Sequence, residues 1–186
     1  MSETLEVTND VILRAQQGDT AKIGVLFQRY HQSIFRYLYY RVNDLHTAED
    51  LTSEVFLRML RALPGYRLQG VSFQAWLLQI ARNLSVDHFR KSAIHPNVEL
   101  QENLVSGDQD PAATAESSLT SESLRMALGQ LPSEQREVII FRFILGMPIT
   151  EVAAVLKRSE DSVKGLQRRG LIALREHLDA WEISYV

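Results

Sequence analysis

The 186-residue chain contains no cysteine, which excludes disulfides, thiolate catalysis, zinc ribbons and iron–sulfur clusters and favours a reducing compartment. It has no apolar run long enough to span a bilayer, and its start, Met1-Ser2-Glu3-Thr4-Leu5-Glu6, is acidic where a signal peptide would be basic. A soluble intracellular protein is the expectation. An excess of positive charge is also missing: 20 Lys and Arg stand against 23 Asp and Glu, so the net charge is -3. That rules out a uniformly basic nucleic-acid coat and leaves room for a local patch. Alternation with period two is absent over any useful length, as are internal repeats. The five histidines, His31, His46, His88, His95 and His177, lack the close spacing that places two imidazoles on one metal. No nucleophile elbow is present, and Gly65-Tyr66-Arg67-Leu68-Gln69-Gly70-Val71-Ser72 has Val71 where a phosphate-binding loop needs lysine. No enzyme, cofactor or metal is indicated.

What is present is charge partition. Residues 1–91 carry 11 basic and 9 acidic groups, residues 92–121 carry 0 and 5, and residues 122–186 carry 9 and 9. The middle stretch also holds Pro96, Gly107 and Pro111 among Ala, Ser and Thr, a composition too poor in apolar side chains to offset the entropy of ordering. It reads as a flexible, mostly irregular acidic linker. The chain is therefore expected to be all-α: two small helical domains, 1–91 and 122–186, joined by the linker 92–121.

Helical stripes support this division. Leu26, Tyr30, Ile34 and Leu38 recur at four-residue steps, and Leu51, Val55, Met59 and Leu63 mark a second helix, with Thr47 as its candidate cap and Pro64-Gly65 as its stop. Ser72 can cap a third, whose buried side reads Phe73, Leu77, Ile80 or Ala81, and Leu84. Beyond the linker, Leu124, Leu128 and Leu131 end at Pro132, Glu134 to Leu145 form a helix closed by Gly146, and Ile149–Leu156 and Glu160 to about Leu178 follow.

The last two helices carry the clearest functional signal. Val152, Ala153, Leu156, Val163 and Leu166 have the spacing of a helix-turn-helix, and Ser162, Lys164, Gly165, Arg168 and Arg169 lie on its second helix. From Val155 to Arg175 there are six basic and two acidic residues, which suits phosphates and base edges in the major groove. Lys157 occupies the turn position that usually holds glycine, so it must adopt a left-handed conformation or the turn must differ. In the other half, Trp76, Gln79, Asn83, Asp87 and Arg90 share one helix face, with Arg82 and Lys91 alongside, a candidate platform for a nucleic-acid strand. Taken alone, Trp76 reads first as a core residue.

Both halves together resemble the extracytoplasmic-function (ECF) group of sigma factors, short members of the sigma-70 family. The resemblance runs through Phe35-Arg36-Tyr37-Leu38, Ala48 to Leu57, Phe73 to Leu77, Ile80 to Asn83 and Asp87 to Arg90 for region 2. For region 4 it runs through Leu131 to Val138, Glu151-Val152-Ala153 and Ser162-Val163-Lys164. It implies that Asp50, Glu54 and Phe56 dock on core RNA polymerase, that Trp76, Arg82, Asn83, Asp87, Arg90 and Lys91 read and open the minus-ten element, and that Ser162, Lys164, Gly165, Arg168 and Arg169 meet the minus-thirty-five element. Promoter DNA, core polymerase and an anti-sigma factor are the implied partners of a chain that is monomeric when free, inserts in no membrane and works in the cytoplasm. Ser53 and Gly165-Leu166-Gln167-Arg168 depart from common family residues, so the promoter sequence is not carried over. The rival reading is a stand-alone helix-turn-helix regulator with a helical sensing or dimerising domain.

Overall fold

The computed structural model describes residues 7–68, 70–94 and 115–184. Every regular element among them is helical. The first, α1 (Asn9–Gln16), has no counterpart in the stripes above. It buries Val11, Ile12 and Ala15, and the Gln16 amide donates to the carbonyls of Leu63 (3.0 Å) and Tyr66 (2.7 Å), tying α1 to the chain beyond α3.

Helix α2 (Thr20–Val42) starts where the Asp19 carboxylate accepts from the backbone N–H groups of Ala21 and Lys22. Leu26, Ile34 and Leu38 are fully buried, as their spacing predicts, and so is Tyr37. Helix α3 (Leu45–Ala62) is capped by Asp44, which accepts from Thr47 N–H at 2.7 Å, and not by Thr47 itself. A short 3₁₀ turn, Leu63–Gly65, ends it at the Pro-Gly pair. Helix α4 (Phe73–Ile94) has the expected Ser72 cap, 3.2 Å from Ala75 N–H.

The second half comprises α5 (Ala115–Gln130), α6 (Ser133–Ile139) with a π-type turn over Ile140–Ile144, α7 (Ile149–Leu156) and α8 (Glu160–Ser184). Gly146 takes φ +67°, the conformation that closes the helix before it. The irregular stretch expected from residue 92 is shorter: α4 runs to Ile94 and α5 begins at Ala115. Once Leu124, Leu128 and Leu131 pack, extending α5 backward through Ala and Ser adds a backbone bond per residue at little further cost. The rest of the linker, 95–114, lies outside the described residues.

The two halves are not separate bodies in this structure. One core cluster runs from Val11 through Leu38, Met59 and Leu84 to Phe141, Val152 and Leu166. Helix α4 packs on α2 and α3 on one side and on α7 on the other. This explains why Ala75, Leu78 and Ser85 are buried in addition to the expected Phe73, Leu77, Ala81 and Leu84. At the seam the rings of Tyr37 and Phe141 stack at 4.9 Å and 7°, a pair that contributes about 0.5–1.5 kcal/mol beyond the area it buries.

Candidate nucleic-acid interface

The helix-turn-helix forms as its spacing requires: Val152, Ala153, Leu156, Val163 and Leu166 are all buried between α7 and α8. Lys157 sits at φ 53°, ψ 47°, so it accepts the left-handed conformation, and the following N–H of Arg158 reaches Ala153 O at 3.0 Å. Ser159 then caps α8, its hydroxyl accepting from Ser162 N–H at 3.2 Å. Packing directs the polar side outward. Lys164, Arg168 and Arg169 are exposed, and Ser162 and Gly165 are half-buried beside them.

Within that face Lys164 lies 3.0 Å from Asp161, and this hydrogen bond, with the aspartate's charge, raises the ammonium pKa. Lys164 therefore stays charged while sharing its charge with Asp161. Leu171 and Ile172, next on the helix, are exposed apolar side chains. The helix is held from behind by Gly170, where an added Cβ would lie 3.0 Å from Ile139 Cγ1, and by Arg142, whose Nε donates to Gln167 Oε1 at 3.1 Å. Gly170 has no place in the sequence reading because nothing local distinguishes a glycine needed for close approach from any other.

On α4 the expected set divides. Asn83, Arg90 and Lys91 are exposed, and Arg90 pairs with Asp87 at 3.2 Å. Trp76 is half-buried, its ring 4.8 Å from Tyr66 and 5.2 Å from Phe73, and it supports the loop preceding α4 as much as it presents a face. Tyr66 donates its hydroxyl to Val71 O at 3.1 Å, and burial pushes its phenol pKa up. Gln79 and Arg82 point toward the second half of the chain. The Gln79 amide donates to Ala154 O at 3.4 Å, and Arg82 Nε donates to Glu137 Oε2 at 3.2 Å. Nearby, Gly70, Val71 and Ser72 face Thr150, Glu151 and Ala154 across a pocket of about 180 Å³.

Glu137 is the residue that sequence reasoning missed. It is 1% exposed, and its Oε1 accepts from Tyr37 Oη (3.2 Å) and Arg41 Nε (3.4 Å). Burial, reinforced by the glutamate's charge, drives the Tyr37 phenol pKa far upward. Arg41 also donates to Ser133 Oγ at 2.9 Å and lies over the Phe89 ring at 4.7 Å. Beside it Arg136 donates to the carbonyls of Arg41, Gly129 and Leu131, and burial lowers its pKa. The usable signal is an acid set in the run Glu137-Val138-Ile139-Ile140-Phe141, which is otherwise wholly apolar.

On α3, Asp50 is exposed and Glu54 accepts from Arg58 Nε at 2.9 Å. Phe56 is only 6% exposed, its ring 4.6 Å from that of Phe27, so it shapes this surface from beneath. The surface itself shows Phe27, Leu57 and Leu60. Among the described residues there is no cluster of three or more potential metal ligands, and no helix long and apolar enough to cross a membrane.

Comparison with known proteins matches the same two blocks. Residues 26–93 fit Sigma-70 region 2, and residues 121–174 fit Sigma-70 region 4. The ECF RNA polymerase sigma factor BldN of Streptomyces coelicolor is 38% identical over 167 residues, 89% of this chain, and the chain spans 63% of that protein's length. The ECF RNA polymerase sigma factor SigX of Bacillus subtilis is 36% identical over 165 residues, 83% of this chain and 82% of its own. Among solved structures, CnrH in complex with the cytosolic domain of CnrY has a TM-score of 0.71 at 25% identity and covers 91% of this chain and 96% of its own. A stand-alone regulator would not account for a region 2 match in the first half. Two blocks in the order region 2 then region 4, on an all-helical frame, place this chain in the family of ECF sigma factors.

Proposed function

We propose that the chain binds core RNA polymerase and directs it to promoters as an ECF sigma factor, with region 2 at the minus-ten element and region 4 at the minus-thirty-five element. The observation that carries this reading is the pairing of a region 2 match with a region 4 match whose helix-turn-helix exposes Lys164, Arg168 and Arg169 on one helix. Val155 to Arg175, with six basic and two acidic residues, is the positive stretch of that half, and Lys164, Arg168 and Arg169 within it suit phosphates and base edges of the major groove.

In this reading Ser162, Lys164, Gly165, Arg168 and Arg169 enter the upstream element, and the backbone at Gly165 permits close approach. Asn83, Arg90 and Lys91, with Arg82, Asp87 and Trp76, meet the downstream element, where capture of each unstacked base offsets the cost of opening by about 1–3 kcal/mol. Asp50 and Glu54, backed by Phe56, form the polymerase-facing side of α3. The chain performs no bond chemistry of its own. The 20 residues between Ile94 and Ala115 extend to at most about 70 Å, to which the dimensions of the two halves add. Two elements about 25 base pairs apart are separated by roughly 85 Å. An anti-sigma factor is the proposed regulator, and the cytoplasm the proposed site of action.

The test is assembly. The purified chain should co-elute with core polymerase and bind promoter DNA tightly only in that complex. Arg168→Ala should keep polymerase binding and lose the upstream contact. Tight, sequence-specific binding by the chain alone would contradict the reading.

A further inference from the structure

Arg82 is needed in two places. In the function proposed above it meets promoter DNA, yet its Nε lies 3.2 Å from a carboxylate oxygen of Glu137, which belongs to the other half of the chain. Glu137 is almost wholly withdrawn from water, and a buried carboxylate must be partnered. Its side-chain partners here, Tyr37, Arg41 and Arg82, all sit on α2 and α4, so the site is complete only when the halves are together. Further bonds cross the same seam: Arg41 to Ser133 Oγ, Arg136 to Arg41 O, and Arg125 to Asn43 O at 3.1 Å.

This closed body cannot occupy two promoter elements. A compact chain of 186 residues has a radius of gyration of about 16 Å. Elements about 25 base pairs apart are some 85 Å distant. The chain must therefore open to work, and opening breaks the Glu137 site. We infer that Glu137 is a latch that holds the free chain closed, and that it occupies Arg82 with a carboxylate until a promoter phosphate takes its place. The exchange is chemically matched, since carboxylate and phosphate offer a guanidinium the same kind of charge-assisted acceptor. The inference rests on the reading of Arg82 as a promoter contact.

The absence of native cysteine makes the test direct. Spin labels at Gln32→Cys on α2 and Glu176→Cys on α8, both exposed positions, report separation of the halves by double electron–electron resonance. The otherwise native chain should show one narrow, short distance. Glu137→Gln leaves the buried Arg41 without a counter-charge and should lower the closed-to-open ratio on the order of a hundredfold, giving a broad, longer distribution. Tyr37→Phe keeps the ring stack on Phe141 and removes one donor, so it should lower that ratio about two- to tenfold. An unchanged distribution in a folded Glu137→Gln protein overturns the latch. If that variant does not fold, an unchanged distribution in Tyr37→Phe overturns it. With core polymerase, the opened variant should form open promoter complexes faster, and an equal rate overturns the competition for Arg82. If Glu137→Gln opens but neither protein initiates transcription with polymerase, the promoter reading of Arg82 fails and the latch stands.

Discussion

Lys157→Gly isolates the energy stored in the turn of the helix-turn-helix. Lys157 is exposed and sits at φ 53°, ψ 47°, so its side chain contributes little packing while its Cβ bears the strain of the left-handed region. That strain costs an L-residue about 1–2 kcal/mol. Glycine removes it but loses about 0.5–1 kcal/mol more conformational entropy on folding. The net expectation is a gain of about 0.5–1 kcal/mol, and for a chain of this length a rise in Tm of roughly 1–4 °C. Asn43 supplies the control, because it also has positive φ (64°) while its Oδ1 accepts from Arg125 Nη1 at 2.6 Å. Asparagine tolerates this conformation well, so Asn43→Gly should gain nothing and should lose the Arg125 bond to the side chain while keeping the one to the backbone carbonyl. Calorimetry on both variants and the parent decides the matter. A lower Tm for Lys157→Gly, or equal gains at both positions, would refute the assignment of strain to the turn.

Three other outcomes follow from the same structure. Gly170→Val forces a branched side chain against Ile139, where even a Cβ would lie 3.0 Å from Cγ1, and denaturant unfolding should show a loss of about 1–3 kcal/mol. The Asp19 carboxyl is held below its usual pKa mainly by the backbone N–H of Lys22, with burial opposing and Arg14 assisting. Its contribution is therefore present above the unfolded carboxylate pKa and fades as pH falls through the lower folded value. Asp19→Asn keeps a competent cap and should flatten that part of the acid limb of a Tm-versus-pH curve. In the complex with polymerase, Lys164→Ala should reduce the slope of log K against log salt at the upstream element by up to about 0.9, and an unaltered slope would misplace α8.

The local signals proved legible where one short rule governs. Ile149–Leu156 carries its own stripe and a terminating turn, and its helix has those bounds. Ser72 caps α4 because its hydroxyl needs only the N–H three residues on. Thr47 yielded to Asp44 because capping depends on where α3 begins, and a carboxylate one turn earlier captured the Thr47 N–H. What was not legible depends on tertiary partners. The burial of Ala75, Leu78 and Ser85 requires α7 to cover a second side of α4. Phe56 fell on the surface-docking set by family resemblance, and only the aromatic packing of α2 on α3 takes its ring below the surface. Arg41 and Glu137 are 96 positions apart and ordinary in isolation, so only their convergence makes them a site.

The proposed function requires that this chain direct core RNA polymerase to start sites the polymerase does not use without it. Run-off transcription by core polymerase on fragmented bacterial DNA, with the 5′ ends of the transcripts mapped, tests it most directly. Addition of the chain should create a discrete set of start sites that share paired upstream elements, and Arg168→Ala should deplete that set. The same start sites with and without the chain would contradict the account.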